Sequence, residues 1–304
     1  MKAVRIHTYG GPEVLKFEQD VPEPALQPSQ ALVDLVATSI NPIDWKVRSG
    51  ARQKDFPLKL PAILGKDVSG TVRAVGKDVR HLKIGDRVVG MAEGTYAQSV
   101  AVEAALLTHL PDGVDPVDAA AIPLACLTGD QLVRLATRVE RGQTILVSGA
   151  LGSVGRAAVH TALKLGARVI AGVRKAQLQD ARSLGAFAVV AIDEDAAIGG
   201  LHGLDGVADT VGGDTSAKLF ARIRAGGRFG YASVFPAEAP SKNPSVEVTR
   251  VFAKPDPAKV REFADDIRDG KFVLPISQRL PLSEVAKAHA MLEKGGGGKI
   301  VIVI

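Results

Sequence analysis

The chain has 304 residues and a formal net charge of +5, with 46% hydrophobic and 23% charged residues. This is the composition of an ordinary globular protein, and the length suits about two domains. The basic residues are scattered and only 4% of the residues are aromatic, which argues against a nucleic-acid-binding surface.

The cysteine count and the N-terminal segment argue against disulfide-linked, zinc-binding, secreted and membrane-spanning proteins. The single cysteine, Cys126, rules out an internal disulfide and a cysteine-rich zinc site. The segment "MKAVRIHTYGG" contains no apolar signal region, and no stretch approaches the length of about 18 apolar residues that a membrane span requires. We therefore expect a cytoplasmic protein without a membrane segment.

The first part of the chain predicts a β-rich unit. Short runs rich in Val and Ile alternate with Gly, Pro and Asp turns. The density of proline favours an irregular barrel over helices. The predicted strands are "MKAVRI", "QALVDLVATSI", "DVSGTVRAVG" and "GDRVVGM".

The pattern changes after residue 114. The segment "DPVDAAAIPLACLTGDQLVRLA" has helical apolar spacing, and apolar strands then alternate with helices through "RFGYAS". Such alternation predicts a parallel sheet covered by helices on both faces. The tail predicts two amphipathic helices, in "KVREFADDIRDGKF" and "LSEVAKAHAMLEKG", and a closing strand, "KIVIVI".

The stretch "ILVSGALGSVGRAAVHTAL" predicts a nucleotide site. An apolar strand runs into Gly149, Gly152 and Gly155, and a helix follows at once. Glycines let the backbone turn tightly and approach a pyrophosphate, whose charge then lies at the helix N-terminus. The spacing is G-x-x-G-x-x-G rather than the usual G-x-G-x-x-G, and a ligand-free tight turn is the alternative.

The end of the next strand indicates which cofactor binds. NAD enzymes place an acidic residue there, whereas "RVIAGVRKAQ" offers Gly172, Arg174 and Lys175 and no acid before Asp180. A guanidinium can hold a 2′-phosphate through two hydrogen bonds. The sequence therefore favours NADPH, although both cations could simply be solvated.

The remaining residues narrow the chemistry. None of the three tyrosines has a lysine four positions later, so the acid of short-chain reductases is missing. The six histidines have no paired spacing, which makes a zinc site improbable. Hydride transfer from NADPH to a conjugated acceptor, a quinone or an α,β-unsaturated carbonyl, needs no metal.

The chain resembles the zinc-independent medium-chain dehydrogenase/reductases, of the NADPH:quinone oxidoreductase and enone reductase type. The resemblance extends over nearly the whole length. It is carried by "INPIDWKVRSG", "PAILGKDVSGTVRAVG", "IGDRVVG", "LTGDQL", the glycine turn, "DTVGG", "AGGRFGYAS" and "GKIVIVI".

The resemblance implies an α/β fold in which a Rossmann doubly wound parallel sheet is inserted into a GroES-like β-barrel catalytic domain. On this basis residues 1–119 and 257–304 form the catalytic domain. Residues 120–256 form the NADPH-binding domain, and the acceptor binds in the cleft between the two.

The resemblance also assigns site residues. Asn41 stands near the nicotinamide, where zinc-dependent relatives have a cysteine ligand. Ile192 takes the place of a tyrosine that lies beside the adenosine in many quinone reductases. The other implied cofactor residues are Thr128, Gly149, Gly152, Ser153, Val154, Arg174, Lys175, Val211 and Ser233.

Three residues are candidates for the acceptor side: Asn41, Trp45 and Lys66. Trp45, the only tryptophan, could stack on a planar acceptor or belong to the core. In "GKDVSG", Lys66 and Asp67 replace the Gly-His-Glu histidine and glutamate of zinc-dependent relatives. Lys66 could direct positive charge at the acceptor oxygen, or it could fill the former metal position by pairing with a nearby carboxylate. Tyr96 is expected to pack in the interior.

Two other function classes stay open at this point. One is an NADPH-binding regulatory or scaffold protein without turnover, and the other is a metal-dependent alcohol dehydrogenase with unusual ligands. We also expect a homodimer, paired through the last strand of the Rossmann sheet in "VEVTRVFA" (246–253), because an exposed edge strand is a template for pairing.

Overall fold

The computed structural model describes residues 1–236, 238–239, 243–295 and 298–304. The chain divides into two compact units, Met1–Leu124 with Pro255–Ile304, and Ala125–Lys254. We call them the outer unit and the inserted unit.

The strands and helices are as follows. The strands are β1 (Ala3–Ile6), β2 (Leu15–Glu18), β3 (Gln30–Ile40), β4 (Ala62–Ile63), β5 (Asp67–Val75), β6 (Arg87–Met91), β7 (Ser99–Glu103), β8 (Leu107–His109), β9 (Thr144–Ser148), β10 (Arg168–Val173), β11 (Ala188–Ala191), β12 (Leu204–Asp209), β13 (Ile223–Tyr231), β14 (Glu247–Arg250), β15 (Ile276–Pro281) and β16 (Lys299–Val303). The α-helices include Pro42–Arg48, Pro116–Ala119, Pro123–Gln131, Ser153–Lys164, Leu178–Ala181, Asp195–Gly199, Gly213–Phe220, Pro257–Arg268 and Val285–Glu293.

The outer unit is built on a mostly antiparallel sheet in the order β15-β16-β3-β5-β6-β8, with β7 also paired to β3. A smaller sheet has the order β2-β1-β4. Within the described ranges the larger sheet does not close into a ring. The last strand, β16, pairs with β3 so that Ile300 lies opposite Ile40. This register brings Lys299, from the end of the chain, close to Asn41.

The helix Pro42–Arg48 corrects the expectation that this proline-rich region lacks helices. Asn41 is its N-cap in extended conformation, and Pro42 occupies the first turn, where proline needs no N–H partner. Asp44 Oδ2 accepts the Asn41 N–H at 2.8 Å, as the third residue of a capping box does. The segment "NPID" contains this capping pattern, but the strand-like segments on either side of it favoured a prediction without a helix.

The inserted unit is a parallel sheet in the order β11-β10-β9-β12-β13-β14, as predicted. Neighbouring residues of β9 point to opposite faces. Ile145 and Val147 belong to one apolar cluster, and Leu146 belongs to the other. Both faces of the central strand are therefore buried, as a doubly wound fold requires.

Two element boundaries differ from the sequence expectation. The helix predicted through "TSAKLFARIRAGG" ends at Phe220, and β13 already begins at Ile223. The long helical segment after Asp115 is three pieces, because Pro123 begins a second helix and Leu132–Thr137 forms a π-helix. No helix in the described ranges has the length and apolarity needed to cross a membrane.

Candidate active site

The glycine turn follows β9 and leads directly into the helix Ser153–Lys164. Gly149 has a φ of +60°, and the N-cap residue Gly152 donates its N–H to the Gly149 carbonyl at 2.9 Å. A Cβ on Gly155 would lie 2.1 Å from the Gly149 carbonyl oxygen. Glycine is therefore required at positions 149 and 155. The turn presents bare backbone at the start of a helix, where free N–H groups and the helix dipole favour an anion. These residues fit a pyrophosphate.

A buried carboxylate fixes this edge of the sheet. Asp209, the last residue of β12, is fully buried. Its carboxylate accepts hydrogen bonds from Ser148 Oγ at 2.5 Å, Ser216 Oγ at 2.5 Å, Ser233 Oγ at 3.2 Å, Gly212 N at 3.1 Å and Val211 N at 3.3 Å. It thus holds the ends of β9, β12 and β13 together, and with them Val211 and Ser233. The segment "DTVGG" contributes to the family resemblance, but nothing in its pattern predicts a structural role for this aspartate.

The two cations after β10 have different surroundings. Lys175 Nζ donates to Glu194 Oε1 at 2.5 Å, and its backbone N–H donates to Asp193 Oδ1 at 2.8 Å. The Glu194 carboxylate raises the pKa of Lys175. Arg174 is exposed, and its guanidinium has no hydrogen-bond or ion-pair partner among the described residues. Arg174 is therefore the freer of the two groups to meet a 2′-phosphate.

The other predicted cofactor residues differ in exposure. Val211 is 48% exposed, and Ser153 and Val154 begin the helix after the glycine turn. Thr128 is half-buried on the helix Pro123–Gln131. Ile192 is only 5% exposed, and its side chain packs in the apolar cluster that contains Leu146. Its contact with the adenosine stays a prediction.

Asn41 lies in a buried polar cluster of the outer unit. Lys299 Nζ donates to Asn41 Oδ1 at 2.7 Å, and Asn41 Nδ2 donates to Asp67 Oδ2 at 2.7 Å. A lysine can only donate and a carboxylate can only accept, so these two partners fix which way the amide faces. Both ends of the Asn41 side chain are engaged.

Asp67 is the acceptor at the centre of this cluster. It is fully buried, and it accepts hydrogen bonds from Ser39 Oγ, from Asn41 and from the Leu124 N–H at 2.7 Å. Lys299 Nζ lies 3.7 Å from Asp67 Oδ2 and is itself 4% exposed. A buried carboxylate needs such donors and a nearby cation to offset its desolvation.

Lys66 points to a different partner. Its side chain is 11% exposed and forms an ion pair with Glu93, whose side chain is 80% exposed. The ammonium also lies 5.2 Å from the centroid of the Phe56 ring. Lys66 thus pairs with a carboxylate, whereas its place at a former metal position and its role toward an acceptor stay predictions.

The donor set around Asn41 does not fit a zinc ion. A protonated ammonium has no lone pair to offer a metal, and the Asn41 amide oxygen is occupied by Lys299. Across the described part of the chain, no three His, Cys, Asp or Glu side chains are grouped so as to hold a metal.

A second buried chain of hydrogen bonds was not predicted. Tyr96 donates its hydroxyl to Asp44 Oδ2 at 2.8 Å, and His289 Nε2 lies 3.2 Å from the Tyr96 oxygen. Arg48 donates to His289 Nδ1 at 3.2 Å and pairs with Glu293. Since arginine can only donate, Nδ1 of His289 is the acceptor and Nε2 carries the proton. Tyr96 is buried, as expected, but its hydroxyl is engaged.

Burial sets the charges of this chain. It raises the pKa of Asp44 to about 7, although the hydrogen bonds from Tyr96 and Asn41 act in the opposite direction. Burial also lowers the pKa of His289 to about 3, and the Arg48 charge adds to this effect. His289 is therefore neutral at neutral pH. These hydrogen bonds anchor the helix Pro42–Arg48, because Asp44 and Arg48 both lie on that helix.

Trp45 lies on the same short helix. It is half-buried, and Lys46 Nζ lies 5.6 Å from the centroid of its ring. The two residues are consecutive on a helix, so they do not point to opposite sides as they would in an extended segment. The stacking role of Trp45 stays a prediction. Of the predicted site residues, Asn41, Trp45 and Lys66 belong to the outer unit and the rest to the inserted unit.

Comparison with known proteins identifies the family. Residues 27–112 match the alcohol dehydrogenase GroES-like domain, and residues 184–302 match a zinc-binding dehydrogenase domain. The whole chain is 30% identical to a quinone oxidoreductase of Pongo abelii, of which it covers 98%. The chain belongs to the medium-chain dehydrogenase/reductase family.

Relatives within the family indicate which type of oxidoreductase this chain resembles. A quinone oxidoreductase of Pseudomonas aeruginosa is 35% identical over 96% of this chain and 95% of its own length. An NADPH-dependent alkenal/one oxidoreductase of Arabidopsis thaliana is 37% identical, over 61% of this chain and 51% of its own length. The solved structure of the Escherichia coli quinone oxidoreductase complexed with NADPH superimposes with a TM-score of 0.87 at 28% identity and covers both chains completely.

These findings confirm the family and the predicted fold class. The outer unit contains the GroES-like match, and the inserted unit has the parallel, doubly wound sheet. This medium-chain dehydrogenase/reductase is an oxidoreductase of the quinone oxidoreductase type.

Proposed function

We propose that this oxidoreductase uses NADPH and reduces a quinone or an α,β-unsaturated carbonyl without a metal ion. The observation that carries the proposal is the chemistry at the former metal position, where Lys66, Asn41 and Asp67 form hydrogen bonds and ion pairs with protein groups. A conjugated acceptor suits such a site because its own π-system accepts the incoming electron pair. The similarity to a quinone oxidoreductase and to an alkenal/one oxidoreductase supports the same substrate classes.

The inserted unit has the groups that would hold the cofactor. The glycine turn and the first residues of the helix Ser153–Lys164 would receive the pyrophosphate. Arg174 would contact the 2′-phosphate. The nearby carboxylates of Asp193 and Glu194 are hydrogen-bonded to Lys175. Val211 and Ser233, held in place by Asp209, would lie beside the nicotinamide. When bound, NADPH would supply the hydride.

The outer unit would orient the acceptor and stabilise the charge that develops on it. Reduction places negative charge on a quinol or enolate oxygen, and a positive group aimed at that oxygen lowers the barrier. Lys66 is the cation we assign to this role. Asn41 would contribute a rigid surface, since its amide is fixed by Lys299 and Asp67.

We also propose that two chains pair through β14. This strand is the edge of the inserted sheet, and its backbone is paired on one side only, with β13, in the described residues. Light scattering at micromolar concentration tests this proposal, and a monomer would contradict it.

An acceptor panel tests the proposed function. The purified protein is mixed with NADPH, and the loss of NADPH absorbance is followed with 1,4-naphthoquinone, with an alkenal and with a saturated aldehyde. We expect oxidation with the quinone or the alkenal and none above background with the saturated aldehyde. Binding of NADPH with no oxidation by any acceptor would instead favour a regulatory or scaffold protein.

A further inference from the structure

The ion pair between Lys66 and Glu93 is strongly asymmetric. The Lys66 side chain is 11% exposed, whereas the Glu93 side chain is 80% exposed. The ammonium also lies against the Phe56 ring, 5.2 Å from its centroid. A largely buried cation is therefore neutralised by a carboxylate that is itself in solvent.

The buried carboxylates nearby have their hydrogen bonds elsewhere. Asp67 accepts from Ser39, Asn41 and the Leu124 N–H. Asp44 Oδ2 accepts from the Asn41 N–H and the Tyr96 hydroxyl. Among these acids, only Glu93 forms an ion pair with Lys66. If Glu93 moved away, another anion would have to take its place, because an unpaired buried ammonium is costly.

The backbone around Glu93 is hydrogen-bonded to Gly65 and Lys66, the two residues just before β5. Ala92 donates its N–H to the Lys66 carbonyl at 2.9 Å, and Gly94 donates to the Gly65 carbonyl at 3.0 Å. The Glu93 side chain can therefore rotate out into solvent without movement of the loop. A carboxylate on a ligand would restore the same charge-assisted hydrogen bond, so the exchange costs little.

We propose that Lys66, whose ammonium has three N–H donors, recognises a carboxylate on the acceptor as well as the acceptor oxygen, and that Glu93 is the internal carboxylate which an anionic acceptor displaces. The enzyme would then favour quinones or enones that carry a carboxylate. This inference rests on the proposed function for its substrate, but its binding step can be tested separately.

The test compares two acceptors that differ only in charge. One is a 1,4-naphthoquinone with a propionate side chain, and the other is its primary amide. The charge ratio is defined as kcat/KM for the propionate divided by kcat/KM for the amide. Because each variant is compared with the wild type through this ratio, the intrinsic reactivity of the two quinones cancels.

Three variants give distinct expectations. Glu93→Gln removes the competing carboxylate and is expected to raise the charge ratio about tenfold, which corresponds to about 1.4 kcal/mol. Lys66→Gln removes the cation and is expected to lower the ratio below the wild-type value. Glu23→Gln is the matched control, since Glu23 is also exposed and pairs with Arg73, an exposed arginine; it should leave the ratio unchanged. A ratio for Glu93→Gln within about twofold of the wild type would overturn the proposal.

A binding measurement separates this inference from the proposed function. Naphthalene-2-propionate and its amide cannot be reduced, so isothermal titration calorimetry with these two compounds needs no turnover. A preference for the propionate that grows in Glu93→Gln and disappears in Lys66→Gln supports anion recognition, even if no quinone is reduced. Reduction of both quinones with no such preference would uphold the proposed function and contradict this inference.

Discussion

Lys299 Nζ donates to Asn41 Oδ1 at 2.7 Å, although the two residues are 258 positions apart in the chain. The antiparallel pairing of β16 with β3 makes this contact possible, because Ile300 lies opposite Ile40. The strand β16 thus fixes the orientation of the Asn41 amide. The contact also places a buried cation 3.7 Å from Asp67 Oδ2.

Removing the Lys299 charge should destabilise the protein. Lys299→Met would leave the buried Asp67 carboxylate without its cation, and we expect the free energy of unfolding to fall by about 3 kcal/mol. Urea unfolding measures this change. Lys287→Met is the matched control, because Lys287 is 60% exposed and its pair with Glu284 is worth less than about 1 kcal/mol. Equal losses in the two variants would contradict the account of the buried cluster.

The pH dependence of stability should reveal two opposed buried groups. Folding raises the pKa of Asp44 from 3.8 to about 7. As pH rises between these values, the unfolded state loses the Asp44 proton before the folded state does. The contribution of Asp44 to the free energy of unfolding therefore falls with pH in this range. Folding lowers the pKa of His289 from 6.5 to about 3. Between these values the unfolded state is the more protonated one, so the contribution of His289 to the free energy of unfolding rises with pH. The two effects offset each other between about pH 4 and 6.5.

Single substitutions should separate the two effects. Relative to the wild type, Asp44→Asn should give a free energy of unfolding that rises with pH, by about 1 kcal/mol per pH unit between pH 4 and 6.5. His289→Gln should give the opposite slope relative to the wild type. Urea unfolding at pH 4.5 and 6.3 checks both slopes. Slopes of the same sign would show that the two groups do not oppose each other.

The two cations after β10 should differ in their effect on cofactor choice. Arg174→Ala removes the exposed guanidinium, and we expect the KM for NADPH to rise about tenfold while that for NADH stays the same. Lys175→Ala should change the KM for NADPH by less than about threefold, because Lys175 already pairs with Glu194. Steady-state kinetics with both cofactors measure this. A larger effect at Lys175 than at Arg174 would reverse the assignment.

Lys66 should contribute to the reaction itself. Lys66→Ala removes the cation that we assign to the acceptor oxygen, and we expect kcat/KM with an enone to fall at least tenfold, about 1.4 kcal/mol of transition-state stabilisation. Thermal unfolding of the same variant separates this effect from a loss of folding. A decrease of less than about threefold in a folded variant would contradict the assignment of Lys66 to the acceptor oxygen.

Local patterns in the sequence were sufficient for most of the fold. The alternation of apolar strands and helices after residue 114 predicted the parallel sheet, because both period and length of these segments are local properties. The glycine turn was predicted for the same reason, since Gly149 and Gly155 are needed by the turn itself. The helix at Pro42 was missed although its cap was visible, because strands flank it on both sides.

The buried polar networks could not be predicted in this way. Lys299 and Asn41 meet only through strand register, and Arg48 meets His289 across 241 positions. No local sequence pattern connects residues so far apart, and each of them taken alone would be predicted to lie on the surface. Sequence reasoning identified Asn41, Lys66 and Asp67 by resemblance. It missed the Asp44–Tyr96–His289 chain and Asp209, which hold the helix and the strand ends in place.

The most direct test of the central claim is NADPH oxidation by 1,4-naphthoquinone, measured before and after treatment of the purified protein with a chelator. The account predicts quinone-dependent oxidation at the same rate in both samples. Loss of the rate on chelation, with recovery on addition of Zn²⁺, would contradict metal-independent reduction at the site around Asn41 and Lys66.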